Sequence, residues 1–256
     1  MGMSRAILVI RGSRDKPLST EELTSQTSKL TCVIGEPQSI RVLREPPQDG
    51  FTNMARDSAL LDAAEQGSVG GRIYSWDGVW VSVGRFQSVE RDIVQPDQVQ
   101  WVRRPTGGKA VLHGHDVTIG CAIPLSLIEA TNHRSIKAIY RVAVSLIVEA
   151  LSACGLNAAL AEDTEFSGKG VHSGDCFAFS SPNDIVDQET GRKICGCALR
   201  LTERAVLLQA SVPNGEPLVE PASVILNADH LEPVIWTSQG IEIAFERALQ
   251  RLVTHP

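Results

Sequence analysis

The sequence predicts an α+β fold of mixed β-sheets flanked by helices, and three observations carry that prediction. Short segments rich in β-branched and aromatic residues stand at 39–43, 72–76, 79–84, 99–104, 116–124, 192–201 and 205–213. Apolar residues recur at helical spacing over 52–67, 134–153 and 240–253. Those helices fall between groups of strands and do not alternate with each one, which argues against a doubly wound parallel sheet.

Taken in order, residues 1–36 are polar, mixed in charge and weakly periodic, and read as an N-terminal extension of unknown role. Residues 37–256 read as a single domain. "SIRVL" opens it as a strand. "TNMARDSALLDAAEQG" follows as a helix that Thr52 or Asn53 can cap and Gly67 can end. The strands "RIYSW", "VWVSVG", "VQWVRR" and "DVTIGCAIP" come next. The clearest helix is 134–153, where Ile136, Ile139, Tyr140, Ala143, Leu146, Ile147, Ala150 and Leu151 keep the period. Val142, Val144 and Val148 broaden its apolar face, so it is covered on most sides, and Gly155 stops it. "RKICGCALRL" and "AVLLQASVP", joined by "TERA", predict a hairpin. "PNGEPLVEPA" is a Pro/Gly-rich link to a short tail from about residue 214. In that tail Ile241, Phe245, Leu249 and Leu252 share one side of the last helix.

Composition narrows the function classes. The 256 residues are 43% hydrophobic and 21% charged, ordinary for a globular domain. A net charge of −6 offers no bulk attraction to nucleic acid or to an acidic membrane, so a small molecule or another protein is the expected partner. No apolar run of about 18 residues implies a membrane span. "AILVI" near the start is too short for a signal-peptide core and lacks a small-residue cleavage site, so the cytoplasm is the expected compartment. Cysteines 32, 121, 154, 176, 195 and 197 are scattered and do not space as a disulfide scaffold. On a strand Cys195 and Cys197 face the same way, as two small buried side chains.

"RRPTGGKAVLHGHD" at 103–116 is the segment richest in chemistry. A Walker A loop fails, because Gly107 and Gly108 are adjacent and Ala110 follows Lys109. A dinucleotide fingerprint fails for want of a third glycine opening a helix. His113 and His115 could share a face, but no acidic or cysteine ligand follows in register, and no metal site is expected. The plain reading is a strand–turn–strand with a tight bend at the glycines.

The segment resembles the Arg-Arg-x-Ser/Thr-Gly-Gly-x-Ala-Val-x-His signature of the lipoate-protein ligase and octanoyltransferase superfamily, which shares the biotin/lipoate protein ligase fold. Three further segments arrive in that family's order. They are "GFTNMARDSALLDAA" (50–64), "YSWDGVWVSVGRFQ" (74–87) and "NDIVDQETGRKICGCALRL" (183–201). The resemblance covers about residues 37–213. Lys109 departs from the family's usual Gly or Arg after the glycine pair.

The resemblance implies an enzyme with an acyl site. Val83, Ala110 and Val111 would line a tunnel for the chain, and the Gly107–Gly108 loop would close over it with Arg104 and Thr106 at the loop. His113, Gly196 and Ala198 belong to the same matched motifs. The arginines would stand at the rim. Lys193 would bring its ammonium to the acyl carbonyl; without the resemblance it reads as a solvated strand-end lysine. Asp184 would orient Lys193 or the incoming lysine.

Two chemistries share the family. A ligase activates free lipoate with ATP and Mg; a transferase takes octanoate from an acyl carrier protein and holds it as a cysteine thioester. Both serve a lysine on a lipoyl domain of a 2-oxoacid dehydrogenase E2 or on the glycine cleavage H protein. Cys176 in "HSGDCFAFSSPNDIV" resembles the transferase nucleophile, with Lys193 and His172 as candidate cations favouring its thiolate. The short stretch after Pro213 favours the same choice, since many ligases add a C-terminal domain. The expected function is therefore octanoyl transfer through Cys176 with no cofactor. The rivals are an ATP-dependent lipoate ligase, an octanoyl or lipoyl amidotransferase, and a non-catalytic acyl-binding homologue.

Overall fold

The computed structural model describes residues 40–129, 135–168, 173–228 and 234–254, all within one compact unit. Residues 1–36, with Cys32, and His172 lie outside the described residues. The chain runs β1 (Val42–Arg44), α1 (Gly50–Glu65), β2 (Gly70–Tyr74), β3 (Trp80–Val83), β4 (Trp101–Arg103), β5 (Val111–His113) and β6 (Asp116–Pro124). It continues through α2 (Ile136–Ala153), β7 (Ala158–Leu160), β8 (Ile185–Asp187), β9 (Lys193–Leu201), β10 (Ala205–Pro213) and α3 (Ile241–Thr254).

The fold is α+β, as the pattern predicts. A seven-stranded sheet has the order β1-β2-β6-β10-β9-β8-β7, and a three-stranded sheet has the order β4-β3-β5. Both are mixed, because β1 pairs with β2 and β3 with β4 in parallel. The β9–β10 hairpin forms at the expected place, with Thr202 N–H bonded to Ala205 O at 2.9 Å. β10 is buried along its whole length between β6 and β9.

One face of the large sheet packs on α2 and α3, where Ile119, Ile147, Leu151, Val206, Leu208 and Phe245 join a single core. That burial explains why α2 is apolar over so wide an arc. Its ends are set locally: the Ser135 hydroxyl accepts from Ala138 N–H, and Gly155 takes φ +87° just beyond Cys154. The other face carries α1 at one end, where Leu61 and Ala64 meet Ala122 and Leu207. The cap of α1 is Asp49, not Thr52 or Asn53. The Asp49 carboxylate accepts both the Thr52 N–H at 2.9 Å and the Thr52 hydroxyl at 2.6 Å, so Thr52 becomes the capped residue.

Asn53 has a different task. Buried on α1, its amide donates to the Gln48 and Ser75 carbonyls and its oxygen accepts from Arg72. Asp57, one turn on, accepts from Arg72 at 2.7 Å, Tyr74 at 2.7 Å and Gln209 at 2.5 Å. The polar residues of the α1 motif thus tie the helix to β2 and β10.

Candidate active site

Cys176 stands on a loop pinned from two sides. Ala110 N–H donates to the Gly174 carbonyl at 2.9 Å, and Cys176 N–H donates to the Ala110 carbonyl at 2.8 Å. The Gln87 amide donates to Gly174 O at 2.9 Å, while its side-chain oxygen accepts Gly84 N–H at 3.2 Å. The Gly-Gly segment, the β3 end and the cysteine loop are therefore one hydrogen-bonded assembly.

Lys193, the first residue of β9, reaches under that loop. Its ammonium donates to the carbonyl oxygens of Cys176 at 2.5 Å and Phe179 at 3.1 Å, and to the Asp184 carboxylate at 2.8 Å. It lies 3.5 Å from Cys176 Sγ. Three oxygens and the sulfur share the three protons of the ammonium, so Cys176 Sγ receives a long, shared hydrogen bond as well as the positive charge. Asp184 is held in turn by the Ser181 N–H at 2.7 Å, the Ser181 hydroxyl at 2.8 Å and the Cys197 N–H at 3.3 Å. The Lys193 side chain is 5% exposed. The solvated strand-end lysine is not what this fold builds: Lys193 is buried in an ion pair with Asp184.

Burial pushes the Cys176 thiol up; Lys193 and Arg104 pull it down, Asp184 and Asp175 push the same way as burial, and the net is a raised value. Burial thus outweighs the two cations that favour the thiolate. Burial disfavours the Lys193 ammonium, but Cys176 and Asp184 outweigh it, and its pKa lies above the ordinary lysine range. Gly196 leaves the room the thiol needs: a Cβ there would stand 3.1 Å from Cys176 Sγ.

Arg104 is not at a rim. It is 5% exposed, and its guanidinium donates to the Gly107 carbonyl at 2.7 Å, the Lys109 carbonyl at 2.7 Å and the Ser82 carbonyl at 2.9 Å. These backbone acceptors replace water, so the charge is buried as a clamp on the glycine loop. Arg103 is the exposed one of the pair and caps the Gly84 and Gln87 carbonyls. Thr106 is buried, donating to Gln209 Oε1 at 2.6 Å, and through Gln209 it reaches Asp57 of α1. Gly84 is required where the loop passes, since a Cβ there would lie 1.8 Å from Gly108 O.

A narrow pocket opens between the two sheets. Its wall includes Cys176, Gly196, Ala198, Gly108, Val111, Ser82, His113, Thr118, Ser211 and Trp76. Val83 and Ala110 do not line it. Side chains alternate along a strand, so Ser82 and Val111 face the cavity while Val83 and Ala110 turn into a separate core with Val81, Leu112 and Ile225. Ala110 still serves the site through its backbone. His113 gives one ring nitrogen to Ser82 Oγ at 2.7 Å and the other to Asp116 Oδ2 at 2.8 Å, so it pairs with these and not with His115. Cys195 and Cys197 share a face as expected, with sulfurs 3.7 Å apart, both buried.

Gly84, Gln87, Asp57 and Gln209 are site residues that the motif reading leaves without roles. Gln209 had a signal: a lone amide within the apolar run of "AVLLQASVP".

Fold and site together define an α+β protein with a pocket between its two sheets, walled in part by a cysteine that stands against a buried lysine. Residues 49–228 match the family model of the lipoyl protein ligase A/B catalytic domain, and the chain belongs to that family. It is 33% identical over 61% of its length to octanoyltransferase LipM of Lysinibacillus sphaericus, covering 59% of that protein. It is 34% identical over 61% of its length to octanoyltransferase LipM of Geobacillus kaustophilus, covering 58% of it. The chain thus spans about three fifths of the length of these curated relatives. Among solved structures, the putative lipoate protein ligase Ta0514 of T. acidophilum with bound lipoic acid superposes with a TM-score of 0.64. The identity is 20%, over 86% of this chain and 87% of that one. A lipoate-protein ligase A bound with ATP superposes with a TM-score of 0.63 at 20% identity, over 86% of each chain. These two show the shared fold. Among the described residues no helix is long and apolar enough to cross a membrane.

Proposed function

We propose that the protein is a cysteine-dependent octanoyltransferase of lipoate assembly. It takes octanoate from an octanoyl-acyl carrier protein and delivers it to a lysine of a lipoyl carrier domain, of an E2 subunit or the glycine cleavage H protein, in the cytoplasm. The observation that carries this reading is Cys176 Sγ facing the cavity at 3.5 Å from the Lys193 ammonium. The relatives named octanoyltransferase support it.

In the first step the Cys176 sulfur attacks the thioester carbonyl of the donor. A new S–acyl bond forms, the donor C–S bond breaks, and the thiol proton of Cys176 ends on the departing carrier thiol. One thioester replaces another, so the step is nearly balanced and requires no cofactor. In the second step the acceptor lysine amine attacks the Cys176 thioester. The amide forms, and a proton from the amine returns to sulfur. Lys193 supplies positive charge where the sulfur becomes anionic, which offsets the burial that keeps the resting thiol protonated. Asp184 keeps that charge in place, and the Arg104 clamp fixes the glycine loop over the chain.

The test is ATP-free transfer from octanoyl-acyl carrier protein to a lipoyl domain, followed by mass of the acceptor. Wild-type protein modifies the acceptor and Cys176→Ala does not. Modification that needs ATP, Mg and free lipoate and that survives Cys176→Ala would make the protein a ligase; ligand binding without turnover would make it a non-catalytic homologue.

A further inference from the structure

Strand register places four residues in one row across the large sheet. Gly196 of β9 pairs with Ser211 of β10, Ser211 with Thr118 of β6, and Thr118 with Tyr74 of β2. Directly paired residues share a face, and all four border the cavity. The row begins beneath the nucleophile, because the missing Cβ of Gly196 is the space that Cys176 Sγ fills. Strands lie about 4.8 Å apart, so Thr118 is about 10 Å from Gly196 and Tyr74 about 14 Å. Backbone geometry gives ~1.2 Å of reach per bond in an extended chain, so an octanoyl group extends about 9 Å from its carbonyl carbon.

The row runs into a wall near that distance. Trp76 Nε1 donates to Thr118 Oγ1 at 3.0 Å, and the His113 ring stacks on the Trp76 ring with centroids 3.9 Å apart and planes 17° from parallel. The hydroxyls along the floor do not address a ligand. Ser211 Oγ donates to Asp116 Oδ2 at 2.7 Å and Thr118 Oγ1 donates to the same oxygen at 2.9 Å, with His113 Nδ1 at 2.8 Å. Asp116 gathers their donors on itself, so a floor that contains hydroxyls behaves as an apolar one.

We propose that this cross-strand row gauges acyl chain length, with Ser211 beneath mid-chain, Thr118 beneath its end and the Trp76–His113 stack as the stop. The proposal rests on the reading of Cys176 as the acyl carrier. No single segment of sequence contains the gauge; sheet register assembles it from four strands.

The test is the rate of acyl-adduct formation on the full chain, by intact mass, with hexanoyl-, octanoyl- and decanoyl-pantetheine given separately. Wild-type protein accepts octanoyl at least tenfold faster than decanoyl. Thr118→Leu fills the end of the slot, lowering the octanoyl rate at least tenfold while the hexanoyl rate stays within about twofold. Trp76→Phe shortens the stop and raises decanoyl relative to octanoyl, and together with the wild-type profile it decides the matter if the leucine variant does not fold. Equal loss for all three acyl groups in Thr118→Leu, or equal octanoyl and decanoyl rates in wild type, overturns the gauge alone. Absence of any adduct on wild type overturns the reading of Cys176 and the gauge with it.

Discussion

Replacing Lys193 with methionine keeps an unbranched four-atom stem, with sulfur in place of Cδ, and removes the ammonium. Two consequences follow from the geometry. Asp184, 3% exposed, loses its cation while keeping the Ser181 and Cys197 donors, and the carbonyls of Cys176 and Phe179 lose a shared donor. Breaking one side of a buried ion pair costs about 3–5 kcal/mol, and each unmet carbonyl adds to that end of the range. Lys193→Met is therefore less stable by about 3–5 kcal/mol in urea unfolding at neutral pH. Asp184→Asn removes the stranded charge, so the double variant recovers at least about 2 kcal/mol of the loss. The charge argument has a second readout. With Lys193 gone, burial acts on Cys176 with less opposition, so site-resolved alkylation of that thiol shifts to higher pH. A Lys193→Met protein within ~1 kcal/mol of wild type, or a double variant no more stable than the single one, would refute the clamp.

Other consequences are equally direct. In wild type, iodoacetamide labels Cys176 with a pH midpoint above that of free cysteine, because burial raises the thiol; a midpoint at or below that of free cysteine contradicts the electrostatics. Gly196→Ala puts a methyl 3.1 Å from Cys176 Sγ, so it folds but acylates at least about tenfold more slowly; an unchanged rate would show the thiol is not seated there. Gly84→Ala forces the glycine loop off Arg104 and loses about 2–4 kcal/mol in a thermal melt; stability within ~0.5 kcal/mol of wild type refutes that contact. Burial opposes ionisation of Asp116, but His113 and the Ser211 hydroxyl outweigh it and bring its pKa from 3.8 to about 2. A depressed carboxylate stabilises the fold fully above its unfolded value and loses that contribution as pH falls through its folded one. Unfolding followed from about pH 5 to pH 2 thus shows a loss of about 2 kcal/mol that Asp116→Asn, measured on its own baseline, lacks. The same slope in both proteins contradicts the assignment.

Periodicity made the secondary structure legible where burial is one-sided or total. α2 is visible because its apolar residues repeat at helical spacing, and the β9–β10 hairpin because two β-rich runs flank a short turn. The start of α1 was less so, since Asp49, Thr52 and Asn53 are all good caps and only the fold says which carboxylate meets which N–H. The cysteine–lysine pairing was legible through resemblance alone; nothing in the spacing of Cys176 and Lys193 brings them to 3.5 Å. The wall residues show the opposite error. Val83, Ala110 and Val111 do not form one surface, because the pleat turns the first two into a separate core. Arg104 is misplaced at the rim because a charged residue reads as exposed unless its acceptors are known, and those are backbone carbonyls that no residue type announces.

The central claim is that Cys176 carries the acyl group, and intact mass with peptide mapping tests it most directly. The protein is incubated with octanoyl-acyl carrier protein without ATP and then challenged with hydroxylamine, which cleaves thioesters. The account predicts one octanoyl adduct, mapped to Cys176, released by hydroxylamine and absent from Cys176→Ala. An adduct that maps elsewhere, persists in Cys176→Ala or forms only with ATP contradicts it.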